Sequence, residues 1–243
     1  MFFYKKDNIE SITKENEELK NKIIEYIAAK TRNASLDNPI LCLVGPSGVG
    51  KTSSVKHLSE TLKMNLIRLD MSEYNLETSV NKLIGVSHGY VGYDDDYIFN
   101  KVKYNPYSVI LVDEIEKSHP SVLNLFLQIM DEGFITDAHG EKIDFSHTLI
   151  FMTSNAYKNK TVGFGSLDKS NLNENFSEEF LGRFDDIIYF EAFTKEEVLK
   201  YLQEKINDEK TDYDKILEEM NYTKYGFRNI NKIIDKYTIK IEN

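Results

Sequence analysis

The sequence predicts an α/β protein, a parallel sheet with helices on both faces followed by a smaller all-helical unit. Three observations predict it. Five short apolar, partly β-branched runs are separated mostly by helical patterns: Ile40–Val44, Leu66–Asp70, Val109–Val112, Thr148–Met152 and Ile187–Phe190. A glycine-rich stretch follows the first run and opens a helical one. After Phe190 the strand-like runs stop, and residues 194 to 239 carry only helical periodicity.

In chain order, residues 12 to 32 read as a helix, with Ile12, Leu19, Ile23, Ile24 and Ile27 largely on one face. Asn38-Pro39 then breaks the chain. The clearest helix is Pro120–Met130, where Val122, Leu125, Phe126, Ile129 and Met130 form an apolar stripe. Ser118 is its expected N-cap, Pro120 falls in the first turn, and Gly133 lies just past the end. Two short runs, Phe134-Ile135-Thr136 and Lys142-Ile143-Asp144-Phe145, flank Asp137-Ala138-His139-Gly140 and predict an inserted hairpin. The Asn-rich stretch 169 to 175 reads as a flexible loop. The expected division is an N-terminal helical segment (1–38), a large α/β unit (39–190) and a small helical unit (191–243).

Composition narrows the function classes. With 243 residues, 41% of them hydrophobic, the chain can bury a real core, and no apolar run approaches membrane-span length. The start, Met1-Phe2-Phe3-Tyr4-Lys5-Lys6, places charges where a signal peptide needs its apolar stretch, which predicts a cytosolic protein. The lone cysteine, Cys42, sits in an apolar run as a small core residue, and no Cys/His cluster has zinc-ligand spacing. A net charge of −10 weakens the case for nucleic acid as the main partner.

Gly45-Pro46-Ser47-Gly48-Val49-Gly50-Lys51-Thr52 matches the P-loop pattern, after the strand Ile40–Val44 and before the helical stretch Thr52–Leu62. Glycines let backbone N–H groups curl around a phosphate, and the helix N-terminus favours an anion. Lys51 would bridge the β- and γ-phosphates of ATP, and the Thr52 hydroxyl would ligate Mg2+. Val109-Ile110-Leu111-Val112-Asp113-Glu114 is a buried-type strand ending in two carboxylates. It lies about sixty residues beyond the P-loop lysine, a spacing that favours Asp113 holding Mg2+ and Glu114 polarising the attacking water. The plain alternative is a strand end followed by a solvated acidic turn.

From Leu69 to Asn155 the sequence resembles the second ATPase module of the Clp family of AAA+ unfoldases. The matching stretches are Leu69-Asp70-Met71-Ser72-Glu73-Tyr74, Leu83-Ile84-Gly85, Gly89-Tyr90-Val91-Gly92-Tyr93 and Pro106-Tyr107-Ser108-Val109-Ile110-Leu111. They continue with Asp113-Glu114-Ile115-Glu116-Lys117, Thr153-Ser154-Asn155 and Phe180-Leu181-Gly182-Arg183-Phe184-Asp185. The ends, Pro39–Gly45 with Lys51-Thr52-Ser53, and Tyr222-Thr223 with Gly226-Phe227-Arg228-Asn229-Ile230, resemble the Lon ATPase module. Lon's Ser-Lys peptidase domain has no counterpart in the sequence. The resemblance therefore implies one AAA+ module with a five-stranded parallel sheet and a helical lid. It also implies ATP and Mg2+ as cofactors, a homo-oligomeric, hexameric ring, and a polypeptide substrate.

The resemblance assigns further roles. Asn155 matches sensor 1, an amide that orients the attacking water; a strand-end cap is the alternative. Arg183 matches the arginine finger that reaches a neighbouring subunit's ATP; a surface arginine paired with Asp185 or Asp186 is the alternative. Arg228 matches sensor 2. Gly89-Tyr90-Val91-Gly92 matches the axial loop of protein-translocating rings, with Tyr90 and Val91 on the substrate, whereas a core-packed Tyr90 in a Gly-bounded turn would be structural. Where the family often continues with a Glu-Gly-Gly-like stretch, this chain has Asp94-Asp95-Asp96. Val162-Gly163-Phe164 matches a tripeptide that engages a barrel peptidase, with an ordinary loop turn as the alternative. Three functions follow from these features: an unfoldase, an assembly module with poor turnover, or a nucleic-acid-directed AAA+ ATPase. The complete nucleotide-site residue set disfavours the second, and the Gly89–Gly92 loop and the acidic charge disfavour the third.

Overall fold

A computed structural model of the chain describes residues 39–93, 95–156, 170–206 and 211–221, together with residues 21, 25, 230, 233, 234, 236 and 237. Strands β1 (Ile40–Val44), β2 (Asn65–Asp70), β3 (Ser108–Asp113), β6 (Leu149–Ser154) and β7 (Asp186–Tyr189) form one parallel sheet in the order β2-β3-β6-β1-β7. The five-stranded parallel sheet is the one the apolar runs predict, with ends shifted by a residue or two.

Alternation along each central strand explains why both faces are covered. Ile40, Cys42 and Val44 of β1, Ile110 and Val112 of β3, and Ile150 and Met152 of β6 join one core cluster. Leu41 and Leu43, Val109 and Leu111, and Leu149 and Phe151 join another. Side chains alternate faces along a strand, so runs apolar at every position mark strands buried on both sides. Helix α1 (Lys51–Leu62) contributes Val55 to the second cluster. Short helices α2 (Val80–Ile84) and α3 (Asn100–Tyr104) and the long helix α4 (Pro120–Glu132) contribute Leu83, Val102, Val122, Phe126 and Ile129 to the first. Each fully buried Leu, Ile or Phe is worth about 1.5–3 kcal/mol.

Two local expectations are corrected. The N-cap of α4 is His119, whose Nδ1 accepts from the Ser121 N–H at 3.2 Å. Ser118 instead closes the preceding turn, its hydroxyl donating to the Ile115 carbonyl at 2.8 Å. The Asn-rich stretch is helical over Ser170–Asn175 (α5). Leu172 and Phe176, four residues apart and both buried, anchor that turn to the core, and packing overrides the loop-like composition. A four-residue helix α6 (Glu178–Leu181) follows.

The hairpin forms as antiparallel β4 (Phe134–Thr136) and β5 (Lys142–Asp144). Helices α7 (Lys195–Ile206) and α8 (Tyr213–Met220) build a separate small core from Val198, Tyr201, Leu202, Ile206, Ile216, Leu217 and Met220, joined by Ile230 and Ile233. The helix expected over residues 12 to 32 lies outside the described residues except at Asn21 and Glu25, both helical. No helix among the described residues is long and apolar enough to cross a membrane.

Candidate active site

Parallel register brings three strand ends to one edge. Val44 pairs with Ser154, Val112 with Met152, and Asp70 with Asp113. The Gly45–Thr52 loop, the Asp113-Glu114 pair and Thr153-Ser154-Asn155 therefore meet at the carboxyl edge of the sheet, where open α/β sheets bind ligands. Gly45 donates its N–H to the Ser154 carbonyl at 3.2 Å. A Cβ there would lie 2.3 Å from the Phe190 carbonyl oxygen, so only glycine lets the loop leave β1 beneath β7. Helix α1 starts on Gly50 at φ 101°, with no side-chain cap on its leading N–H groups.

Lys51 is buried against this loop. Its Nζ donates to the carbonyls of Gly45 (2.6 Å) and Pro46 (2.8 Å) and to Asn155 Oδ1 (2.9 Å). Burial pushes the Lys51 ammonium down to about 8, while the charges of Glu116, Asp113 and Glu114 oppose that fall. Asp113 gathers three donors: Thr153 Oγ1 at 2.5 Å and Thr52 Oγ1 at 2.9 Å on Oδ1, and Arg68 Nη2 at 2.7 Å on Oδ2. Burial works against its charge, but the hydrogen bonds from Thr153, Arg68 and Thr52 outweigh burial and hold the carboxyl below its ordinary range. An ionised carboxylate bonded to a threonine hydroxyl is the hard-oxygen donor set that suits Mg2+.

Glu114 follows the strand in the left-handed region, φ 58° and ψ 53°, a conformation rare outside glycine. Its N–H donates to Thr153 Oγ1 at 3.0 Å. Its carboxylate accepts from Asn155 Nδ2 at 2.9 Å on Oε1 and from Lys117 Nζ on Oε2. The Asn155 amide thus turns its oxygen to a cation and its nitrogen to an anion, the only orientation these neighbours favour. Glu116 accepts the Asn155 backbone N–H on Oε1 at 3.0 Å, and its Oε2 is buried with no hydrogen-bond partner among the described residues. Leaving a buried acceptor unmade costs roughly 1–3 kcal/mol or more. Burial, with the Glu116 charge beside it, pushes the Cys42 thiol up to about 12, which makes it an inert core residue.

Sequence reasoning placed no role on Arg68, Thr153, Glu116 or Lys117. Thr153 and Glu116 lie inside stretches that carry the family resemblance. Arg68 had a weaker signal: it stands two residues before Asp70, and only the pairing of Asp70 with Asp113 brings it to the site.

The Gly89–Gly92 loop stands away from this cluster in sequence and in exposure. Tyr90 is 72% exposed and Val91 101%. A Tyr90 packed on the core is thereby ruled out for this structure. Gly89 and Gly92 both take φ 92°, so the loop turns at each end where a side chain would be strained. Tyr93, next in line, packs on His88 (centroids 4.9 Å apart) and on His139 of the hairpin (4.5 Å), and His139 also meets Tyr97 (5.5 Å). Asp95 and Asp96 are exposed, and Asp94 lies outside the described residues.

Arg183 follows α6 and pairs with Asp131 of α4, with Glu179 at 3.7 Å. Of the expected alternative partners, Asp185 accepts the Ile40 N–H at 2.7 Å and Asp186 the Ile187 N–H at 2.8 Å. Arg228 and Val162-Gly163-Phe164 lie outside the described residues.

A parallel sheet of this order, with a glycine-rich phosphate loop between β1 and α1 and an acidic pair closing β3, defines a P-loop nucleoside triphosphatase. The family described as "AAA domain (Cdc48 subfamily)" matches residues 39–187, and the chain belongs to it. The curated relatives it resembles are ATP-binding subunits of Clp proteases. The ATP-binding subunit ClpE of the ATP-dependent Clp protease of Lactococcus lactis is 48% identical over 171 residues, 65% of this chain and 23% of that protein. The ClpC subunit of Staphylococcus aureus is 40% identical over 228 residues, 79% of this chain and 28% of that protein. The chain thus spans about a quarter of the length of these curated relatives. A closed-state reconstruction of Hsp104 with ATPγS and FITC casein superposes with a TM-score of 0.75 at 27% identity, covering 97% of this chain and 48% of that one.

Proposed function

We propose that this chain is the motor module of an ATP-driven protein unfoldase, which works as a hexameric ring and draws polypeptide through a central channel. The observation that carries the reading is a pair of exposed apolar side chains, Tyr90 and Val91, on a glycine-bounded loop in the same domain as a linked nucleotide-type cluster. Single exposed apolar side chains such as Tyr104 and Tyr107 are ordinary, but two adjacent ones held out between glycines form a small contact surface.

In this reading Lys51 places its charge against the β- and γ-phosphates of ATP, and Gly45 to Thr52 wrap them. Thr52 and Asp113 hold Mg2+, which supplies positive charge to the phosphate oxygens when bound with ATP. Glu114 takes a proton from the attacking water, and Asn155 orients that water. Arg183 acts on the ATP of the adjacent subunit; its pair with Asp131 is exposed and easily exchanged for a phosphate contact. Arg228 reaches the phosphates from a helical lid spanning residues 191–243, which closes on the nucleotide unit of residues 39–190. Tyr90 and Val91 grip the polypeptide, and Val162-Gly163-Phe164 docks a barrel peptidase. The cytoplasm is the proposed compartment.

The test compares ATPase stimulation by an unfolded polypeptide with stimulation by DNA, alongside particle size with and without ATP. Polypeptide stimulation in an ATP-dependent ring is expected. Stimulation by DNA alone, or a particle that stays monomeric with ATP, would contradict the reading.

A further inference from the structure

Asn155 stands one residue past β6, where the parallel ladder ends at Ser154. Beyond the ladder its backbone N–H needs an acceptor from elsewhere, and Glu116 supplies it at 3.0 Å from the turn after β3. The Asn155 side chain spans the site from that anchored backbone. Its Oδ1 meets Lys51 Nζ at 2.9 Å and its Nδ2 meets Glu114 Oε1 at 2.9 Å. Glu116 also leaves Oε2 buried and unpartnered among the described residues. A surface carboxylate would turn that oxygen to water. A buried acceptor of this kind calls for an explanation, and the bond that Oε1 makes to Asn155 offers one.

We infer that Glu116 is a positioning residue for ATP hydrolysis: through the Asn155 N–H it fixes where the Asn155 amide lies beside the Glu114 carboxylate. The inference rests on the reading of Asn155 as the water-orienting group. Glu116 touches neither water nor phosphate in this scheme. It acts through geometry, by holding the residue that does, as supporting shells do at preorganised sites. Its charge is a separate property, and two conservative variants separate charge from bond. Glu116→Gln keeps an acceptor at the same reach and removes the charge. Glu116→Asp keeps the charge and withdraws the acceptor by one methylene.

The test measures kcat and KM for ATP in the full chain, with fluorescent-nucleotide affinity as a check that each variant still folds and binds. Glu116→Asp is expected to lose roughly tenfold or more in kcat with KM within about threefold, and Glu116→Gln to lose only about two- to fourfold. Because Glu116 acts through Asn155, adding Glu116→Asp to Asn155→Ala should slow turnover no further. Equal losses in the two variants, a reversed order, or multiplying losses in the double variant would overturn the inference. Parent turnover in Glu116→Asp beside a slow Asn155→Ala overturns this inference alone. Parent turnover in Asn155→Ala removes the water-orienting role itself, and this inference with it.

Discussion

Asn155 Nδ2 donates to Glu114 Oε1 across 2.9 Å, although 41 residues separate the two in the chain. Glu114 reaches that position from a left-handed backbone, which costs a side-chain-bearing residue roughly 1–2 kcal/mol. Strain at a candidate site, held by the Thr153 hydroxyl on one side and by Asn155 and Lys117 on the other, indicates a carboxylate whose direction matters. Replacing Glu114 with Gln keeps the shape and removes the base. Steady-state phosphate release should fall by about 10²–10⁴. Equilibrium ATP binding should persist. Normal turnover in Glu114→Gln would sink the assignment.

Arg183 and Asp131 are both partly exposed, at 37% and 42% of their side-chain surface, so their pairing contributes little to stability. A structural arginine and a catalytic one therefore predict different outcomes. Arg183→Ala should leave Tm within about 2 °C of the parent while turnover falls by roughly 10³ or more. ATP binding should remain. Mixing Arg183→Ala with Glu114→Gln subunits should restore some activity at interfaces that combine an intact Glu114 with an intact Arg183. Activity independent of protein concentration, with no gain on mixing, would place Arg183 outside the reaction.

Much of the fold was legible because strands buried on both faces leave unbroken apolar runs. Ile40–Val44 and Val109–Val112 needed no tertiary information to be placed. The P-loop was legible because its chemistry is local: eight consecutive residues make the loop and open the helix. What the sequence hid was long-range. The bond between Glu116 and Asn155 spans 39 residues and that between Arg68 and Asp113 spans 45, and both depend on parallel register. Residues 170 to 175 misled for a related reason. Their Asn and Ser content argues for a loop, yet Leu172 and Phe176 find the core and a helix results. Ser118 misled more narrowly, since both it and His119 can cap and only the turn after β3 decides between them.

The hairpin carries a titratable anchor that predicts acid behaviour. Asp137 is buried at the tip of β4 and accepts from Lys103 Nζ at 2.6 Å, from the Tyr97 hydroxyl, and from the N–H groups of His139 and Glu141 at 2.9 and 2.8 Å. Burial opposes its charge, but the bonds from Lys103, Tyr97, Glu141 and His139 win and lower its carboxyl from 3.8 to about 2. A depressed folded-state pKa contributes stability that is present above 3.8 and lost as pH falls through about 2. The parent should therefore be more stable than Asp137→Asn at neutral pH, and the gap should close between about pH 4 and pH 2. Thermal melts of both proteins across that range check it. A gap that stays constant across that window would show that the Asp137 charge is not what holds the hairpin.

Tyr90 is 72% exposed while the next aromatics, Tyr93 and Tyr97, are packed against histidines and the hairpin. The loop is thus anchored at its base and bare at its tip. That division suits the proposed motor, in which Tyr93 on His139 would carry motion from the hairpin and Tyr90 with Val91 would meet the substrate. A grip of this kind works by packing a flat apolar face against whatever side chains pass, so it needs bulk and not the phenolic hydroxyl. Tyr90→Phe should unfold a tagged, stably folded fluorescent reporter at close to the parent rate. Tyr90→Ala should hydrolyse ATP within about threefold of the parent yet unfold the reporter at least tenfold more slowly, since the removed side chain touches no part of the nucleotide cluster. The fluorescence decay and the ATPase rate are read on the same samples, so loss of the motor and loss of the grip separate cleanly. Because Tyr90 is exposed, neither substitution should lower Tm by more than about 2 °C. If Tyr90→Ala unfolds the reporter as fast as the parent, the bare tip of the Gly89–Gly92 loop is not the point at which force reaches the polypeptide.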